Sequence, residues 1–266
     1  MMRIIKTVMM VMVCAALMAL AGGMQALAQD GTSLLDAAAN NDAEATAQLI
    51  AAGANVNAAN EEGWMALHIA AGKDAAKVAA LLIEAKADVN AKTKDGWTPL
   101  HLTVLDNAGD VAAQLIAAGA DINARNNKGS VPLIYAAMKN ADKVLVQLIA
   151  AGADVNAKSD EGLTPLDYTA NADAGAAAAL LIKAKADVNA REKNGWTALH
   201  YAAATNAATV AAQLIAAGAD VNAKDNSGRE PLIYASIKNA DKVLAQLIAA
   251  GVDVNVKPDG GLTPLD

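Results

Sequence analysis

Apolar positions come in paired short runs of helical period separated by polar turns, and the pair recurs along the chain. In one such unit, Thr98 can cap a helix and Pro99 suits its first turn, so Leu100 to Asp106 is predicted as a short first helix. Asn107 ends it, because Asn and Asp tolerate the left-handed backbone that a tight helix–helix turn demands. Val111 to Ala118 carries apolar residues at helical spacing and is predicted as a second helix, closed by Gly119 in a left-handed C-terminal cap. Asp121 to Gly129 is then expected to form an extended turn into the next unit.

The unit repeats without insertion. Asn57, Asn90, Asn123, Asn156, Asn189, Asn222 and Asn255 stand 33 residues apart, as do Gly63, Gly96, Gly129, Gly162, Gly195, Gly228 and Gly261. A fixed period of this length means a solenoid. The position that ends the first helix is Asn41, Asp74, Asn107, Asn140, Asp173, Asn206 and Asn239. A longer period lies over the first: Ser130 to Asp167 and Arg229 to Asp266 match at 29 of 38 positions across a 99-residue offset, as if three units had been copied as a block. Lys86 and Lys185 replace the closing glycine in both copies, at a cost of up to about 1 kcal/mol where the left-handed geometry is kept.

Thr98-Pro99-Leu100-His101 and Gly119-Ala120-Asp121-Ile122-Asn123-Ala124 resemble the two signature stretches of the ankyrin repeat, and the resemblance runs from about Asp30 to the end. It implies an all-α ankyrin-repeat solenoid of stacked helix-turn-helix units joined by extended hairpin-like turns. It also implies that partners meet the turn tips and first helices along a concave face. The family usually has glycine at the inter-helix turn, and here Asn or Asp stands in its place throughout. The expected organisation is a signal peptide over 1–28, seven repeats over 29–260, and the truncated opening of a further repeat at 261–266.

The signal peptide is read from Arg3 and Lys6, an apolar run of 14 residues from Val8 to Ala21, and small residues at Ala26 and Ala28. That run is shorter than the about 20 residues of a spanning helix, so cleavage after Ala28 and a periplasmic or secreted location are expected, with no membrane contact afterwards. Cys14, the only cysteine, lies in the apolar run, leaving the mature chain without a thiol.

Composition narrows the picture further. The chain is 55% hydrophobic but only 3% aromatic, with no Phe, which favours small-residue helix packing over an aromatic core. Its net charge is −7, and without Arg3 and Lys6 it is 19 − 28 = −9. That balance argues against a nucleic-acid partner.

Catalytic chemistry is hard to assemble from a periodic chain. His68, His101 and His200 all fall at the same position of the repeat. Helices packed about 8–10 Å apart cannot bring equivalent residues within the about 2 Å bonds of one metal ion. In ankyrin repeats this histidine hydrogen-bonds locally and stabilises the turn, a role that Asp36, Asp167 and Asp266 can imitate and Ile134 and Ile233 cannot. Asp88, Asp121, Asp154, Asp187, Asp220 and Asp253 form an acidic column and Lys92, Arg125, Lys158, Arg191, Lys224 and Lys257 a basic one, read as solvated stripes that partly compensate. No Ser or Cys converges with a His and a carboxylate, no phosphate-binding glycine loop is present, and no cofactor is implied. An enzyme is not expected.

The candidate surface is therefore for a protein partner. The residue after each turn glycine is a tip, and three tips are Trp64, Trp97 and Trp196, the residue type most enriched at binding hot spots. Arg229 is a fourth. Leu105, Met138 and Ile237 sit near the ends of first helices beside Lys73, Lys139 and Lys238, giving an apolar strip with a basic fringe. Two readings of the tryptophans stay open: contact with a partner, or cover for a neighbouring turn. Tyr135, Tyr168, Tyr201 and Tyr234 are read as packing between repeats. The expected function is noncovalent protein binding. The alternatives are end-to-end self-association through an uncapped last repeat, and service as accessory to an extracytoplasmic enzyme.

Overall fold

A computed structural model describes residues 33–254, so the predicted signal peptide and the predicted opening at 261–266 lie outside the described residues. Fourteen helices occur within this span, in seven pairs. The first members are α1 (Leu34–Ala39), α3 (Ala66–Gly72), α5 (Pro99–Leu102), α7 (Pro132–Met138), α9 (Pro165–Ala172), α11 (Ala198–Thr205) and α13 (Pro231–Ile237). The second members are α2 (Ala43–Ala51), α4 (Ala76–Glu84), α6 (Gly109–Ala117), α8 (Asp142–Ala150), α10 (Gly175–Lys183), α12 (Ala208–Ala216) and α14 (Asp241–Ala249). Odd helices stack on odd and even on even, so the stack has two parallel rows with turns projecting from one edge. None of the helices is long and apolar enough to cross a membrane.

Two leucine columns run through the stack. Leu67, Leu100, Leu133, Leu166, Leu199 and Leu232 fill the first row, and Leu82, Leu115, Leu148, Leu181, Leu214 and Leu247 the second, all at 1% exposure or less. Buried alanines such as Ala70, Ala79, Ala112, Ala178 and Ala211 lie between them, and their small side chains let neighbouring helices approach closely.

The inter-helix turns take the conformation the sequence demands. Asn41, Asp74, Asn107, Asn140, Asp173, Asn206 and Asn239 all lie at φ between 49° and 57°, and Lys86 and Lys185 keep the closing left-handed geometry at 67° and 68°. One prediction needs correction: α5 spans only Pro99–Leu102 rather than Leu100 to Asp106. Thr103 and Val104 are adjacent β-branched residues, and the chain there tightens into three-residue turns, with the Leu105 amide donating to the Leu102 carbonyl at 3.0 Å and Thr103 Oγ1 to that of Leu100 at 2.7 Å.

Candidate functional site

The turns that project from the stack are each closed by a polar side chain four residues before the tip. Asn126 Oδ1 accepts the amides of Lys128 (3.0 Å) and Ser130 (3.2 Å); Glu192 Oε1 accepts those of Asn194 (2.9 Å) and Trp196 (3.0 Å); Asp225 Oδ1 accepts those of Ser227 (2.8 Å) and Arg229 (2.9 Å). Two of these side chains also hold a tyrosine nine residues on: Asn126 Nδ2 donates to Tyr135 at 2.9 Å, and the Tyr234 hydroxyl donates to Asp225 Oδ2 at 2.5 Å. Burial pushes the Tyr135 hydroxyl above its ordinary pKa. Sequence reading passed over this column; its signal is that Asn60, Thr93, Asn126, Ser159, Glu192 and Asp225 are all acceptors, 33 residues apart.

Histidine ties each turn to the next repeat. The Thr98 amide donates to His101 Nδ1 at 3.2 Å, closing the first turn of α5, so Nδ1 is unprotonated and Nε2 carries the hydrogen. His101 Nε2 then donates to the Ser130 carbonyl at 3.1 Å, 29 residues away. His68 reaches the Ala91 and Trp97 carbonyls in this way, and His200 that of Arg229. The histidines therefore act between repeats as well as within one turn. Burial lowers all three pKa values, that of His101 to about 4, so they stand neutral at pH 7.

At the fourth such position Asp167 closes its turn through Oδ2, which accepts the Thr164 amide at 2.8 Å, while Oδ1 is buried without a hydrogen-bond partner. Burial raises its pKa to about 6, with Glu192 adding to the rise and Lys158 opposing it.

The tryptophans do not stand free at the tips. Trp97 is only 5% exposed, against the expectation that solvent reaches it. Its ring lies 4.4 Å from that of Tyr135 on the next repeat and 5.6 Å from His101, edge-on. Trp196 makes the same contact with Tyr234 (4.4 Å) but is stacked on His200 (5.9 Å), and is half-buried, as is Trp64 against His68. The Trp97 and Trp196 indoles are drawn onto the next repeat because the aromatic contact removes apolar area from water at a place where the turn passes over it.

The remaining candidates keep more exposure. Met138 is half-buried at the end of α7 and Leu105 half-buried three residues past the end of α5, Ile237 is 62% exposed at the end of α13, and Arg229 is exposed with its amide and carbonyl engaged in the turn. Lys73 and Lys238 are exposed beside them, and partial burial lowers the pKa of Lys139. Within the basic column, cations reach along the stack to backbone carbonyls. Lys92 Nζ donates to the Arg125 carbonyl (3.0 Å), Arg125 to that of Lys158 (3.0 Å) and Lys158 to that of Arg191 (3.1 Å), so each cation reaches its counterpart's backbone one repeat on. Asp121 and Asp220 accept the amides of Asn123 and Asn222 two residues ahead, in the manner of an Asx turn.

Between the projecting turns and the first-helix row, beside Ser130 and Met138, lies a cavity of about 290 Å³. Among the described residues, no three His, Cys, Asp or Glu side chains gather as a metal site would require.

With two stacked helix rows, a 33-residue step and histidine-tied turns in place, comparison with known families is direct. A family model described as ankyrin repeats (3 copies) matches residues 34–126, 104–192, 133–225 and 170–258. The chain belongs to the ankyrin-repeat family. Ankyrin repeats are generally protein–protein interaction modules, and ankyrin-repeat proteins are typically non-enzymatic scaffolds. A search of the curated proteins finds no match.

Proposed function

We propose that this ankyrin stack binds a protein partner noncovalently on the face between its turns and first-helix row. The observation that carries this reading is the apolar line Leu105, Met138 and Ile237, held at multiples of the 33-residue step, with Ile237 62% exposed. A large aliphatic side chain held in water on a rigid helix end loses little conformational freedom on being covered, so its burial contributes to affinity. Arg229 and the exposed edges of Trp64 and Trp196 border the line, whereas Trp97 serves packing. The apolar, cationic N-terminal segment supports export to the periplasm or beyond, with cleavage after Ala28.

The test is affinity capture by the chain from the extracytoplasmic fraction of its source, beside a folded Met138→Lys, Ile237→Lys variant. A protein retained by the parent and lost from the variant supports the reading. Identical retention by both proteins, or recovery of the bait alone, overturns it.

A further inference from the structure

Two kinds of bond join successive turns along the tip edge between the second, third and fourth helix pairs, and again between the sixth and seventh. A histidine Nε2 reaches the tip carbonyl of the next repeat, from His68 to Trp97, from His101 to Ser130 and from His200 to Arg229. Each tip backbone also bonds the tip before it: the amides of Lys94, Asn127 and Asn226 donate to the carbonyls of Glu62, Asp95 and Asn194 at 3.0, 3.1 and 2.9 Å.

Both kinds fail on both sides of the fifth pair, α9 and α10. The residue placed to donate into it is Ile134, which has no polar side-chain atom, and the residue placed to donate out of it is Asp167, whose carboxylate when ionised only accepts. The Asp160 amide stands 3.5 Å from the Lys128 carbonyl, at the limit of a hydrogen bond, and among the described residues Lys193 makes no backbone bond to Glu161. Long side chains cross these junctions instead. Arg125 and Lys158 reach the carbonyls of Lys158 and Arg191 at 3.0 and 3.1 Å, and Lys193 Nζ reaches that of Asp160. Tethers with so many rotatable bonds follow a moving turn rather than fix it.

The second-helix row has no such gap. Asn140 Oδ1 holds the Ala177 amide at 2.8 Å and Asp173 Oδ1 that of Val210 at 3.1 Å, where α10 and α12 begin. Beyond the ends of these helices, Asn156 Oδ1 holds the Asp187 amide at 2.8 Å and Asn189 Oδ1 that of Asp220 at 2.7 Å. Short polar side chains thus pin this row on both sides of the fifth pair.

We infer that the fifth pair is a hinge, at which the tip edge opens and closes about the second-helix row while the four pairs before it and the two after it move as arms. A stack fastened along one edge and loosened along the other has bending toward the loosened edge as its soft motion. Met138 and Ile237 lie on opposite arms, so the hinge sets the spacing of the apolar line. It does not rest on that line binding a partner, and its test uses none.

Cys14 is the only cysteine, so in a Cys14→Ala background spin labels can be placed on introduced cysteines and their separations read by double electron–electron resonance. Lys128→Cys with Ser227→Cys labels the tip edge across the hinge, and Lys143→Cys with Lys242→Cys labels the second-helix row across it. Each pair is 99 residues apart, which at about 10 Å per helix spacing places the labels about 30 Å from each other. Glu62→Cys with Lys128→Cys labels tips on one arm only. The distance distribution of the first pair is expected to be at least about twice as wide as those of the other two. Ile134→His together with Asp167→His supplies a donor at both junctions and is expected to narrow it to their width. Should that double variant fail to fold, Asp167→His alone is expected to narrow it in part. Equal widths for all three pairs, equal broadening of the Glu62 and Lys128 pair, or a width unchanged in the folded histidine variant overturns the hinge. A failed partner capture leaves a positive result standing.

Discussion

Asn140 Oδ1 accepts the amide of Ala177, 37 residues away, at 2.8 Å. Asn140 is the left-handed residue that ends the first helix of its repeat, and Ala177 is in the first turn of α10, whose own N-cap residue, Ala174, offers no side chain for the purpose. The bond recurs. Asn107 Oδ1 accepts the amides of Lys143 (3.1 Å) and Val144 (3.3 Å) at the start of α8, and Asp173 Oδ1 that of Val210 (3.1 Å) at the start of α12. One residue meets two needs, turning the chain in its own repeat and satisfying an orphan donor in the next. At Asn107, Asn140 and Asp173 this gives Asn or Asp a role that the family's usual glycine cannot fill.

Asn140→Gly separates the two roles. Glycine enters the left-handed region more easily than asparagine, so a turn requirement alone predicts no loss. Loss of the cap predicts destabilisation by about 1 kcal/mol. Urea denaturation of parent and variant decides between them, and an unchanged or higher midpoint would remove the capping account.

The same replacement at Lys86 has the opposite expected sign. Lys86 is held at φ 67° at the end of α4, where other repeats place Gly53, Gly119, Gly152, Gly218 and Gly251 at 86° to 88°. Lys86→Gly relieves the left-handed strain and is expected to raise stability by up to about 1 kcal/mol, read from the denaturation midpoint. A lower midpoint would mean that the lysine chain makes a packing contact worth more than the strain.

Much of this architecture was legible from the chain alone, because left-handed turns restrict residue choice at the position itself. Asn41 through Asn239 and the glycines could be read that way. The roles of Trp97, Lys92 and Asn140 could not, since each depends on an atom in the neighbouring repeat: the Tyr135 ring, the Arg125 carbonyl and the Ala177 amide. A tip residue is exposed only if the next repeat offers nothing to cover, and Tyr135 offers a ring.

Acid is expected to loosen the histidine ties. The His101 pKa is lowered to about 4 in the fold from 6.5 unfolded, so the unfolded chain binds more protons between these values. Its contribution is complete above pH 6.5 and is lost as pH falls toward 4, on the order of 3 kcal/mol for this residue. His68 and His200 shift in the same direction. His101→Asn retains an acceptor for the Thr98 amide but does not titrate, so its stability should fall less between pH 6.5 and 4 than that of the parent. Parallel pH profiles for the two proteins would rule out His101 as a source of the acid sensitivity.

Asp167 works against this trend. Its pKa rises from 3.8 to about 6 on folding, so the folded chain binds more protons there; the associated stability is present below pH 3.8 and is lost as pH rises through 6. At neutral pH the buried carboxylate is therefore a net cost, with Oδ1 unpartnered. Histidines at the equivalent position donate to the carbonyl 29 residues ahead, at Trp97, Ser130 and Arg229, and for residue 167 that carbonyl belongs to Trp196. Asp167→His supplies a neutral Nε2–H to that carbonyl and an Nδ1 acceptor to the Thr164 amide, as in the other three repeats. It is expected to stabilise the stack at pH 7.5 by at least about 1 kcal/mol and to do nothing, or to destabilise, at pH 4, where the aspartate is protonated and the new histidine is driven to ionise. Thermal denaturation at the two pH values measures both signs. A gain of equal size at each would trace the effect to packing rather than to the buried charge.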